Sequence, residues 1–306
     1  MKIAIDLENC AGCGKCVEIC PVNVFQMDVH NPLIANEVAC TLCGVCVDQC
    51  PQQAITIEAF GDTNRFMMNL KGKEKYIEYN NIFQSVLKLK KKPVAIKLVR
   101  PYENVPKEIP EMDMPIRHCV SINLASYGAV FYLPKEKHAC AAAKASLGIA
   151  ELPEKVKNGQ VPYMHGLAAT QAAAACIMEE IPKLEPNSTT GTLVAPLDKA
   201  IFDPDVIILT VLPKQAMWIA NSVLFETGTP RITANFAGMQ ASCGDATVLP
   251  IINNRINFSV GCYGCRSMGK LADTEMYVGI PLTQIELIIN GLKGLWKAMN
   301  SLEKNP

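Results

Sequence analysis

Between Cys10 and Pro51 the chain writes one cysteine pattern twice. Cys10-Ala-Gly-Cys13-Gly-Lys-Cys16-Val-Glu-Ile-Cys20-Pro21 returns 30 residues later as Cys40-Thr-Leu-Cys43-Gly-Val-Cys46-Val-Asp-Gln-Cys50-Pro51. Three thiolates spaced by two residues wrap a tight loop around one corner of an iron–sulfur cubane. The fourth, leaving on a proline, points across to the cluster of the other repeat. One [4Fe–4S] cluster is therefore expected on Cys10, Cys13, Cys16 and Cys50, and a second on Cys40, Cys43, Cys46 and Cys20. Gly12, Gly14 and Gly44 stand where the backbone must come close to sulfur, so that amide N–H groups reach it and tune its potential. Pro21 and Pro51 end each short helix and send the chain into returning strands, Val24–Met27 and Ala54–Glu58. Structural zinc sites also use paired C-x₂-C units, but they need no x₃-C-P ending.

On these motifs, residues 2–59 resemble the bacterial-type dicluster ferredoxins. The resemblance implies a two-fold repeated strand–helix–strand fold and low-potential electron transfer. All eight ligand positions of that pattern are filled, so neither cluster is expected in a three-iron form.

The chain has 306 residues, enough for a second and larger domain. Lys+Arg equals Asp+Glu at 29 each, which argues against nucleic acid held by bulk charge. Each oxidised cubane would add roughly two negative charges, suited to docking a redox partner protein with a basic patch. No signal-peptide pattern or membrane-length apolar stretch is present, the longest run being Gly166 to Met178. The 14 cysteines therefore read as metal ligands or reduced thiols of a cytoplasmic protein. The expected division is a ferredoxin domain at 1–59, a linker at 60–77 and an α/β domain at 78–306. In the last, strands at Val94–Val99, Ala129–Leu133, Leu193–Ala195, Val206–Leu212, Asn257–Gly261 and Met276–Ile280 alternate with helix-prone stretches. The whole chain is expected to be α+β. Thr283-Gln-Ile-Glu286 reads as a capping box before a helix whose stripe, Ile285 through Trp296 and Met299, would be core.

Six further cysteines lie in the larger domain: Cys119, Cys140, Cys176, Cys243, Cys262 and Cys265. Two stretches look like loose copies, each a cysteine opening a helix, then a break, a strand and another cysteine: Cys119 to Cys140, and Cys243 to Cys262. A duplicated half-domain would bring four thiols near one axis. Cys262-Tyr-Gly-Cys265-Arg266 follows a strand, and such a loop holds metal, forms a redox dithiol, or presents an anion site through Arg266. Cys119, Cys140, Cys262 and Cys265 are thus candidates for an additional redox or metal site. Their neighbours His118 and His138 are possible mixed ligands, while Cys176, in an alanine run, reads as helix packing.

The segment from about 80 to 306 resembles an uncharacterised prokaryotic family, the domain of unknown function numbered 169. The resemblance is carried by Lys92-Pro-Val-Ala-Ile-Lys97, Arg117-His-Cys119, His138-Ala-Cys140 with Gly148, and Gly261-Cys-Tyr-Gly-Cys265-Arg266. It implies no activity, and its company with iron–sulfur modules suits an anaerobe. No dinucleotide fingerprint, P-loop or G-x-S-x-G elbow occurs. The expected function is an oxidoreductase, or a subunit of one, passing electrons from two clusters to the cysteine-lined site. That site would hold a third iron–sulfur cluster, another cofactor or a small-molecule ligand. The alternatives are a non-catalytic redox adaptor and a ligand-binding sensor.

Overall fold

The computed structural model describes residues 2–40, 44–58, 64–229 and 231–303. The N-terminal unit runs β1 (Lys2–Ile5), α1 (Lys15–Ile19), β2 (Phe25–Met27), β3 (Pro32–Ile34), α2 (Val45–Asp48) and β4 (Ile55–Glu58). The two repeats are laced together. β1 pairs antiparallel with β4, from Lys2 opposite Glu58 to Ile5 opposite Ile55, and β2 pairs antiparallel with β3. The 30-residue repeat is visible in the backbone itself: Gly14 and Gly44 precede α1 and α2 in the left-handed region, at φ 69° and 76°. Asn23 and Gln53 take the same region after them, at φ 53° and 51°.

The larger unit continues with α3 (Glu74–Leu87), β5 (Val94–Val99), α4 (His118–Ser126), β6 (Phe131–Pro134), α5 (Ala141–Ser146), α6 (Glu154–Lys157), α7 (Gln160–Met164), α8 (Gln171–Glu179) and β7 (Gly191–Pro196). Then come β8 (Val206–Val211), α9 (Pro213–Thr227), a π-helix (Ala241–Val248), α10 (Leu249–Asn253), β9 (Asn257–Ser259), α11 (Tyr263–Ser267), β10 (Met276–Pro281) and α12 (Ile285–Glu303). Six strands form one sheet in the order β6-β7-β5-β8-β10-β9, each pair antiparallel. In each half the first strand is innermost, the second is the edge and the third lies between them. That shared order is the arrangement an internal duplication leaves.

Both faces of the sheet are covered, which is why β7 and β8 are buried along their whole length. Val94, Ile96 and Leu98 face a cluster shared with α4, α5 and the π-helix. Ala95 and Val99, on the opposite side of the same strand, face one shared with α3, α9 and α12. The architecture is α+β, a small cysteine-rich unit before a three-layer one.

Several expectations change. Residues 64–77, read as part of a linker, are held on the larger unit: Phe66 is buried edge-on against Phe131 at 5.7 Å, and α3 already starts at Glu74. The remaining residues of that stretch lie outside the described residues. The Thr283 hydroxyl bonds Asn254 rather than a helix N–H, so the capping box does not form and a 3₁₀ turn leads into α12. Ile285 to Leu292 are core, but Trp296 and Met299 are exposed: at this end α12 lies against α9, with Trp218 6.3 Å from Trp296, and Lys88 Nζ stands 6.0 Å over the Trp296 ring. Cys176 is exposed rather than packed. Among the described residues no helix is long and apolar enough to cross a membrane.

The two units touch through apolar side chains. Ile19 of α1 and Val45 of α2, both fully buried, pack with Val156, Val161, Met178 and Ile181. Lys155 Nζ donates to the Glu18 carbonyl at 3.1 Å. Beside this contact, Cys40 and Ile57 pack on Ala139.

Candidate redox site

In the N-terminal unit Cys10, Cys13, Cys16 and Cys50 line one cavity, with Gly14, Pro32, Pro51 and Ile55. Three come from the first repeat and one from the second, brought over by the β1–β4 pairing. Matching amides donate to matching sulfurs: Val24 N–H to Cys20 Sγ at 3.2 Å, and Ala54 N–H to Cys50 Sγ at 3.3 Å. Cys20 and Cys46 are buried, and Cys40 partly so, in one apolar cluster with Ile3, Val24, Phe25 and Ile55. Cys43 lies outside the described residues. A Cβ on Gly12 would strike the His30 carbonyl, so the first cysteine loop can lie against the β2–β3 turn only with glycine there. Burial pushes the Cys16 thiol up to about 11; binding iron must draw that proton off. Sulfur donors around a shared cavity, with amide N–H groups aimed at the crossing cysteines, fit a [4Fe–4S] cluster.

The larger unit gathers five thiols, four of them at matching places in its two halves. Cys119 opens α4 as Cys243 opens the π-helix, and Cys140 immediately precedes α5 as Cys262 precedes α11. Cys265, one turn into α11, stands 3.3 Å from Cys262, sulfur to sulfur. Cys119 Sγ donates to the Gly264 carbonyl at 3.5 Å. Cys243 is tied to the group by burial first, then by Cys140, Cys262 and Cys265, which together hold its thiol well above the ordinary range. Cys265 is pushed up to about 12, first by its hydrogen bond with Cys119, and Cys262 is raised by its bond with Cys265 and by burial. The four sequence-expected cysteines thus share one neighbourhood, and Cys243 joins them. Among the described residues none of the cysteines is in a disulfide, and no three His, Cys, Asp or Glu side chains are disposed around a single metal ion.

The histidines flank this cluster without joining it. Both rings are buried and lie roughly parallel, 6.5 Å apart. The Thr247 hydroxyl donates to the Ser242 carbonyl at 2.6 Å, so its oxygen accepts from His118 Nε2–H at 2.9 Å. His138 Nε2 meets the Thr192 hydroxyl at 3.3 Å. Burial lowers His118 to about 4 and holds His138 well below the ordinary histidine range, so both rings are neutral.

Arg266, expected as an anion site, is instead a brace. Its guanidinium donates to the carbonyls of Ala272 at 2.6 Å and Val260 at 2.5 Å, tying the two sides of the Cys262–Cys265 loop. Arg117 lies over the same loop, 3.0 Å from where a Gly264 Cβ would stand.

Sequence reasoning missed Asp245. The Ser259 hydroxyl donates to it at 2.8 Å, and burial raises it to about 7. The same carboxylate borders a cavity with Cys176, Glu180, Met239 and Gln240. Its only signal in the sequence was an acid within an apolar helical stretch.

Comparison with known proteins divides the chain in the same way. A 4Fe–4S dicluster model matches residues 9–55, so the N-terminal unit is an iron–sulfur domain. The model of the uncharacterised ArCR family, the domain of unknown function numbered 169, matches residues 82–291. An uncharacterised protein of Methanocaldococcus jannaschii is 28% identical over 210 residues, covering 68% of this chain and 89% of that protein. The DNA-directed RNA polymerase subunit Rpo3 of Archaeoglobus fulgidus is 49% identical over 65 residues, covering 21% of this chain and only 24% of that subunit. No solved structure matches. With most of its length matched by that model, the chain belongs to the uncharacterised ArCR family and carries a 4Fe–4S dicluster domain ahead of the family's own.

Proposed function

We propose that this iron–sulfur electron-transfer protein holds two [4Fe–4S] clusters and serves as an oxidoreductase, or a subunit of one, delivering their electrons to the thiol cluster of its larger unit. Cys10, Cys13, Cys16 and Cys50 would hold the first cluster, and Cys20, Cys40, Cys43 and Cys46 the second. When bound, such clusters supply single electrons at low potential. The observation that carries the reading is the contact of Cys40 with Ala139, the residue between His138 and Cys140. A ligand of the second cluster thereby abuts the segment that leads to the five thiols.

The chain's own residues would hold this path in place. Ile19 and Val45 exclude water from the seam between the units. Partial burial, and the charges of Asp48 at the end of α2 and Arg117 over the Cys262–Cys265 loop, all act on the half-buried His165 ring just past α7.

Iron and sulfide analysis of anaerobically purified protein tests the ligand assignment. About eight irons per chain are expected, and about four after Cys50→Ser or Cys20→Ser, since each cubane carries four. Loss from Cys50→Ser of the cluster held otherwise by the second repeat would overturn the crossed assignment. Anaerobic reductive titration tests the delivery: more electrons taken up than the clusters themselves hold, before they bleach fully, is the expected result.

A further inference from the structure

We propose that Cys262 and Cys265 form a two-electron dithiol–disulfide couple, the terminal acceptor within this chain, acting on disulfide substrates. The inference rests on the electron-delivery reading above and names the chemistry at its far end.

The geometry comes first. The two sulfurs are 3.3 Å apart, and a disulfide needs about 2.05 Å between them. The two differ in access: Cys265 is fully buried, whereas Cys262 is half-buried beside Val260 and Tyr263, which are 41% and 70% exposed. Cys262 is the outer sulfur, able to meet another molecule, and Cys265 the inner one that resolves the bond.

The loop is held for this purpose from both sides. Arg266 bridges the Val260 and Ala272 carbonyls, and Cys119 binds the Gly264 carbonyl. Gly269 lets the loop close on α4, since a Cβ there would come within 2.9 Å of the Cys119 Cβ. The raised thiol pKa values mean both sulfurs keep their protons at neutral pH.

The stoichiometry agrees. Reduction breaks the Cys262–Cys265 S–S bond, and each sulfur gains one electron from one reduced cluster and one proton from solvent. In the opposite half-reaction the dithiol reduces a substrate R–S–S–R to two R–SH, and the Cys262–Cys265 bond re-forms. Two one-electron clusters hold the pair that one disulfide requires.

The test uses anaerobic holoprotein oxidised with hydroxyethyl disulfide, then quenched and alkylated before mass spectrometry of the peptide carrying both cysteines. The expected result is a peptide lacking two hydrogens and refractory to alkylation. Dithionite should restore alkylation at both sulfurs in wild type, but far more slowly in Cys20→Ser, which lacks the adjacent cluster. Full iron content with Cys262 and Cys265 still alkylated after oxidation overturns the proposal. So does equal recovery in wild type and Cys20→Ser. Protein without iron after anaerobic purification sinks the electron-transfer reading instead, which iron analysis of the same sample reports separately. A Cys265→Ala variant with normal iron content and thermal unfolding should take up two fewer electrons in reductive titration, and an unchanged uptake likewise overturns the couple.

Discussion

The side chains that matter most here are cysteines whose proton affinity is set by their neighbours. Cys262 and Cys265 sit among other thiols and hydroxyls, and their pKa values rise accordingly. If both are protonated throughout the neutral range, the couple exchanges two protons with two electrons. Each unit of pH then changes its equilibrium a hundredfold, so its midpoint should fall by about 59 mV per unit between pH 6 and 9. Redox titration of the thiols by alkylation at several pH values checks this; a flat profile would mean that thiolates, not thiols, are the reduced form. His118 supplies a stability counterpart. Buried and neutral, it titrates near 4 when folded and near 6.5 when unfolded. The unfolded chain therefore binds more protons between those values, and stability is complete above about pH 6.5 and lost as pH falls toward 4. The full loss from this one ring is about 3 kcal/mol, with His138 acting in the same direction. Denaturant unfolding at pH 7 and pH 5 should show the loss, and His118→Gln should reduce it.

At the level of elements, the π-helix is the part that sequence patterning could not see. The helix-prone stretch just before β9 reads as ordinary helix, and the apolar positions alone do not distinguish a wider turn from a normal one. In the structure Thr247 bonds back to the Ser242 carbonyl, five residues earlier, and so supports the widened turn that aims Cys243 and Thr247 at the thiols and His118. The π-helix lies directly on β10 because Gly279 has no Cβ; one there would strike the Ala246 carbonyl. Gly279→Ala should therefore cost about 1–3 kcal/mol by overpacking, read as a lowered unfolding midpoint. Strands, by contrast, were legible. All six segments expected in the larger unit appear, since apolar β-branched runs such as Val206–Val211 fit a sheet buried on both faces. Their antiparallel order was not legible, because alternation of strand and helix is equally the mark of parallel sheets.

Across the whole molecule, the proposed path from the clusters to the thiols crosses the small seam between the units. Met178 is buried there, with Ile19 and Val45 opposite. Met178→Asp places a charge in that seam, and it should leave iron content unchanged while exposing the junction to limited proteolysis and slowing thiol reduction; unchanged proteolysis would show that this contact does not hold the units together. The eight N-terminal cysteines announced their chemistry by spacing alone, because cubane ligation is a local requirement repeated along the chain. The mutual placement of Cys119, Cys140, Cys243, Cys262 and Cys265 is different in kind. Those residues are as far apart as 146 positions, and only the paired halves of the sheet bring them together. So cysteine spacing by itself pointed to an iron–sulfur domain, and short motifs to the family that the rest of the chain follows. Packing alone decided that Arg266 braces the loop and that Cys40 lies against Ala139, since such contacts arise from which surfaces meet and not from which residues are neighbours in the chain.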